Sequence, residues 1–343
     1  MSGSSHKVSD IRNREIWIDV CRAIGILLVV LGHSGSPFTV YIFGFHIPLF
    51  FILSGYLYKD SGDFRPYLLK IFRHYLLPYF VLCGIVLVIQ CIRDAFNGQL
   101  GPDIFKLYIR DIIVSDCERL PCLPLWYLTA LFMALLIMYF IHLVRNEYVR
   151  FALAVMCLII SDVIARNCDF RLPWNITPAL SGVFFIELGY VMRRLDVVNK
   201  IKSLKWYYLW AILISSFGLG MITIRYNSQI SGDYVSLYDQ RLLHIPLTVI
   251  GAVLLSVFMM ILASILCEAI REGYMKPMIF LGRNTIIFMG FEVLAHTIAY
   301  SVTYVLIPSL MGTVIPWYMN FIISVIILTL AALLWNGLRK VKY

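Results

Sequence analysis

The sequence predicts an all-α integral membrane protein of about ten spanning helices, with both termini in the cytoplasm. Three observations carry this. Hydrophobic residues make up 60% of the chain and charged residues only 14%, where soluble proteins carry about a quarter charged; mean hydropathy is +0.81. Apolar windows long enough to span a bilayer recur from end to end. The Lys and Arg residues between them concentrate on alternate connections, as the positive-inside bias requires. The net charge of +9 is therefore a topology signal, and no nucleic-acid partner is expected, because no soluble basic domain carries it.

Residues 1–15 open with MSGSSHKVSDIRNR, polar and basic, and read as a cytoplasmic segment. No apolar region with a small-residue cleavage site follows it, so the first span is expected to be retained. Spans are expected at 16–34, 41–58, 76–92, 123–141, 149–165, 177–192, 206–224, 243–267, 284–306 and 314–338, within one transmembrane domain over 1–343. The second is the least regular. From Pro48 to Lys59 there are too few residues to cross about 30 Å of hydrocarbon at ~1.5 Å per residue, so this span must begin before the FHIP turn or start below the surface. The longest non-spanning segments, 93–122 and 225–242, read as outer; they are solvated loops by default, with contact to a polar acceptor through their Asp, Arg, Tyr and Asn residues as the alternative. Cys21, Cys83, Cys157 and Cys267 lie in or near spans as small apolar residues. Cys91, Cys117, Cys122 and Cys168 fall on the outer side, where disulfides are chemically allowed but their connectivity cannot be read. No metal-ligand spacing and no internal repeat occurs.

The first span carries the chemistry. Asp19, Arg22 and His33 stand in sequence otherwise as apolar as lipid, where each charge costs roughly 2.5–3.5 kcal/mol and so marks function or an interior partner. At about 100° per residue, Arg22 and His33 lie within roughly 20° of each other and about 16 Å apart along one helix. Asp19 shares that side, and at i,i+3 spacing an ion pair with Arg22 is the structural alternative to a functional role. Gly25 and Gly32 admit close neighbours. His46, in the FHIP turn, is expected to be buried and to share a pocket with His33.

Arg14, Asp19 and Arg22, ILLVVLGH ending at His33, and FHIPLFFILSGYLY together resemble the multi-spanning acyltransferase family 3, most of all its sugar O-acetylase branch. The likeness continues through Lys70 and Arg73 with LLPYF, LWYLTALF at 125–132, LPWNITPAL, FFIELGY, and LGRNT at 281–285. It implies a membrane O-acyltransferase that moves acetyl from acetyl-CoA to a sugar hydroxyl of a surface polysaccharide or lipid-linked glycan, in the cell membrane and surrounded by its lipid. Thioester-to-hydroxyl transfer needs a base near its working pH, which makes His33 the candidate, with Asp19 and His46 in support. CoA phosphates need fixed cations; the resemblance points to Arg22, Lys70, Arg73 and Arg14, although positive-inside anchoring is the alternative for Lys70 and Arg73 and serves Lys70 and Arg14 equally well. Trp126 and Tyr127 match an acceptor-side element, or an interfacial aromatic belt. Where the family carries a histidine on the ninth span, this chain has Glu292, with His296 one turn on. These two supply an acid or base and an acceptor contact, or simply bond to each other.

A proton-coupled secondary transporter or glycan exporter is the alternative, since ten spans with buried Arg, His and Glu also suit a carrier. Carriers show paired halves or matching broken spans, and no such pairing is visible.

Overall fold

Helices form where the apolar windows predict them. The computed structural model describes residues 3–340 apart from 61, 117, 169, 312 and 314, with side chains outside the description at 3–15, 272, 310, 339 and 340. Among the described residues the only β pairing is one isolated bridge, Ser236 with Arg241. Among the described residues, ten helical segments are long and apolar enough to cross a membrane: Ile16–His33, Thr39–Tyr56, Phe64–Phe96, Leu123–His142, Glu147–Asn167, Pro173–Arg194, Trp206–Ser231, Ile245–Ala269, Thr285–Leu306 and Trp317–Leu338.

The chain divides into two compact units. The first comprises Met1–Tyr58, Phe185–Leu237 and Arg241–Thr285. It is built from α1 (Gly3–His33), α2 (Thr39–Phe43), α3 (His46–Tyr56), the second half of α9 (Ile176–Arg194), α10 (Val197–Lys202), α11 (Trp206–Ser231), α12 (Ile245–Ala269) and α13 (Glu272–Arg283). α1 packs against α12 and α13, and α12 against α11, α10 and α3. Lipid is as apolar as leucine, so spans associate by close van der Waals approach and not by hydrophobic drive. The chain supplies that approach reciprocally between α3 and α9: a Cβ at Gly55 would fall 1.9 Å from Ile186 O, and one at Gly189 2.0 Å from Ile52 O. Any larger residue at either position would push the two backbones apart.

The second unit comprises Lys59–Phe184, Tyr238–Gln240 and Ile286–Tyr343. It holds α4 (Phe64–Ile71), a π-turn (Phe72–Leu76), α5 (Leu77–Phe96), α6 (Pro102–Val114), α7 (Trp126–His142), α8 (Glu147–Asn167), the first half of α9, α14 (Thr285–Leu306) and α15 (Trp317–Lys340). The third span is longer than the expected 76–92. At 33 residues and about 1.5 Å each it measures roughly 50 Å, well over a hydrocarbon core of about 30 Å. The π-turn inside it has a local cause: Pro78 has no N–H for His74 O, and Leu77 N–H reaches back five residues to Phe72 O. Asn146 starts α8 by accepting from Tyr148 and Val149 N–H at 2.9 and 3.3 Å.

The segment 93–122 is not a solvated loop. α6 returns along α5, and the carboxylates that suggested solvent are buried and bonded. Tyr108 donates to Asp94 Oδ2 at 2.7 Å, Gln90 Nε2 to Asp94 Oδ1 at 2.9 Å, and Arg119 Nη1 to Asp111 Oδ1 at 2.7 Å. Buried carboxylates are tolerated when their oxygens are taken up in this way. Cys122, expected among outer cysteines, is fully buried with its sulfur 4.0 Å from that of Cys83 on α5.

Candidate active site

α1 runs unbroken from Gly3 to His33, so the period that places Asp19, Arg22 and His33 on one side holds across all three. Val20, Cys21, Ala23 and Ile26 face the core and are wholly buried. Arg22 is half-buried, and among the described residues its guanidinium makes no hydrogen bond or ion pair. The Asp19–Arg22 ion pair, the structural alternative to a functional role, does not form. Asp19 is instead bound by Arg283 of α13, Nε to Oδ2 at 2.7 Å. The reason is the helix crossing: Gly282 lies directly on the Asp19 carbonyl, where a Cβ would come within 1.8 Å of the oxygen, and the next side chain along α13 meets the carboxylate.

His33 is the last residue of α1 and is exposed, so it sits at a helix end and not deep within a span. The second span begins before the FHIP turn, at Thr39, and breaks at Gly44–Phe45. His46 opens α3, is buried, and donates from Nδ1 to Ile42 O at 2.7 Å. The two histidines meet through one ring. Phe43 lies 5.3 Å from His33 and 5.2 Å from His46, centroid to centroid, and Gly32 makes room for it, since a Cβ there would be 2.8 Å from Phe43 Cε1. Tyr234, from the connection between α11 and α12, packs on the other side of Phe43 at 5.6 Å. Its neighbour Asp233 is held below the ordinary carboxylate range, first by the Tyr234 N–H and then by Arg241 at 2.6 Å.

In the second unit, Lys70 on α4 and Arg73 in the π-turn are exposed and, among the described residues, their side chains have no bonded partner. Trp126 and Tyr127 open α7 and are 6% and 4% exposed, which removes them from a lipid-facing aromatic belt; Trp126 packs against Tyr238 at 5.6 Å. Glu292 and His296 do bond to each other, Oε1 to Nε2 at 3.0 Å. His296 Nδ1 continues to Asn320 Oδ1 and Ser324 Oγ, both at 3.0 Å. Glu292, His296, Asn320 and Ser324 are all buried. Arg14 lies within α1, but its side chain falls outside the described residues.

The first unit therefore presents a guanidinium without a carboxylate and, about eleven residues and roughly 16 Å further along the same face, an accessible imidazole. A cation binds phosphate; an imidazole accepts a proton near neutral pH. Sequence reasoning did not single out Phe43, Tyr234 or the pairing role of Arg283. An arginine directly after a glycine at the end of an apolar helix was the available signal for the last; the other two depend on tertiary contacts that no local spacing shows.

A family model described as an acyltransferase domain matches residues 15–336. No curated protein and no solved structure matches the chain.

Proposed function

The chain belongs to this family of acyltransferases, acyltransferase family 3, and from that premise we propose that it moves acetyl from acetyl-CoA to a sugar hydroxyl of a surface polysaccharide or lipid-linked glycan, in the cell membrane. The observation that carries this reading is the α1 face: Arg22, which no carboxylate satisfies among the described residues, and accessible His33, separated along one helix. A donor with phosphates at one end of a long arm and a thioester at the other fits such a separation.

In this reading Arg22 holds donor phosphate, and His33 takes the proton from the acceptor hydroxyl as its oxygen attacks the thioester carbon. The new C–O bond replaces the C–S bond, and the proton passes on to the departing CoA thiolate. Asp19, bound by Arg283, balances charge and does not itself carry protons. His46 holds the broken second span and, through Phe43, the His33 ring. Lys70 and Arg73 are proposed as further donor contacts, and Arg14 with them. Trp126 and Tyr127, with His296, are assigned to acceptor recognition, and Glu292 to orienting His296.

The buried Glu292–His296 pair also suits a proton-coupled carrier. Incubating purified protein in detergent with acetyl-CoA and a cell-envelope glycan extract separates the two. The enzyme releases CoA thiol in step with glycan acetylation, whereas a carrier consumes no acetyl-CoA.

A further inference from the structure

We propose that Arg283 is a positioning residue: it holds Asp19 away from Arg22 and so keeps the Arg22 guanidinium open to a phosphate-bearing donor. The inference rests on the reading of Arg22 as a donor contact.

Asp19 and Arg22 stand three residues apart on α1, the spacing at which opposite charges on a helix pair with each other. They do not pair. The Asp19 carboxylate is 14% exposed and is taken by an arginine whose own side chain is 63% exposed, so the cation reaches inward from the surface to a largely buried acid. The register of that reach is fixed by backbone. Gly282 lies against the Asp19 carbonyl with no room for a Cβ, and a slip of one residue would both clash and aim a different side chain at the carboxylate.

A second pair lies on the helix that packs against α1: Lys202 of α10 donates to Ser264 Oγ of α12 at 2.9 Å and pairs with Glu268. The carboxylates of Asp19 and Glu268 are thus each claimed by a cation from another helix, whereas Arg22 has no such partner among the described residues. A half-buried charge of one sign attracts its complement more strongly than an exposed one, because water screens it less. The complement here is an anion brought by the ligand.

A simple staple between α1 and α13 would use the same bond, and the two roles part at a double substitution. CoA binding to the purified full-length protein in detergent is measured by calorimetry for the parent, Arg283→Gln, Asp19→Asn, the combination, and Arg22→Gln, with thermal unfolding recorded for each. Arg283→Gln frees Asp19 to turn onto Arg22 and should weaken CoA binding about five- to tenfold, the worth of a partly screened ion pair. Adding Asp19→Asn to it removes the competitor and should restore parental affinity, even where the melting temperature stays low. A double variant as weak as Arg283→Gln overturns the proposal. Should Arg283→Gln not purify folded, Arg283→Met with and without Asp19→Asn gives the same comparison, since methionine keeps an unbranched stem and removes the charge. If Arg22→Gln binds CoA as the parent does, the donor reading itself fails, and the positioning role falls with it.

Discussion

His46 Nδ1 donates to the carbonyl oxygen of Ile42 at 2.7 Å. In an unbroken helix that carbonyl would accept the backbone N–H of residue 46, but the chain breaks at Gly44–Phe45, and the Phe45 N–H reaches Ile42 O at 3.2 Å. The side chain thus takes over a backbone bond at the break, in an environment where an unmade one is costly.

His46→Ala should therefore lower the melting temperature, at a cost of about 1–3 kcal/mol for a lost buried bond, while CoA binding is retained. Parental stability with transfer abolished would move His46 from holding the turn to doing chemistry.

Gly282→Ala places a Cβ 1.8 Å from Asp19 O, against backbone that cannot rotate away. A destabilisation of about 1–3 kcal/mol or more is expected, together with weaker CoA binding as Arg283 loses its carboxylate. Gly273→Ala on the same helix, where a Cβ meets nothing within 4 Å, should be neutral or slightly stabilising. Equal behaviour of the two variants in thermal unfolding would contradict the α1–α13 crossing.

The Asp116 carboxyl is held above its ordinary range, by burial first and then by the carboxylates of Glu118 and Asp111. A carboxyl whose folded pKa is raised costs stability at pH above that pKa, and the cost disappears as pH falls below the unfolded value. Asp116→Asn should thus stabilise the protein at neutral pH, with the gain shrinking to nothing in acid. A gain that is constant with pH, or a loss, would rule out this electrostatic account.

Arg73→Ala should weaken CoA binding without changing the melting temperature, because the side chain is exposed and takes part in no internal bond among the described residues. Unaltered binding would leave Arg73 a topological anchor, its other expected role.

Much of the fold was legible because a bilayer demands long apolar helices, and their lengths override weaker local preferences. The Arg22–His33 relation was legible for a related reason, since helical period alone fixes it once α1 is continuous. What escaped depends on contacts distant in sequence or on breaks of period. The Asp19–Arg283 pair needs the crossing at Gly282, and i,i+3 spacing alone pointed to Arg22 instead. The π-turn around Arg73 shifts the helical register where only Pro78 hints at it. Asp94 and Asp111 looked like loop residues because burial of their carboxylates depends on Gln90, Tyr108 and Arg119, and the burial of Trp126 likewise rests on tertiary packing.

The central claim is that His33 takes the acceptor proton on the same helix whose Arg22 holds the donor, and one pair of readings on a single variant tests it most directly. Glutamine at 33 keeps a hydrogen-bonding group of similar reach but has no usable pKa, so the His33→Gln protein should bind CoA with parental affinity while transferring radiolabelled acetyl from acetyl-CoA to envelope glycan about 10²- to 10⁴-fold more slowly. Near-parental transfer by that variant would contradict the account.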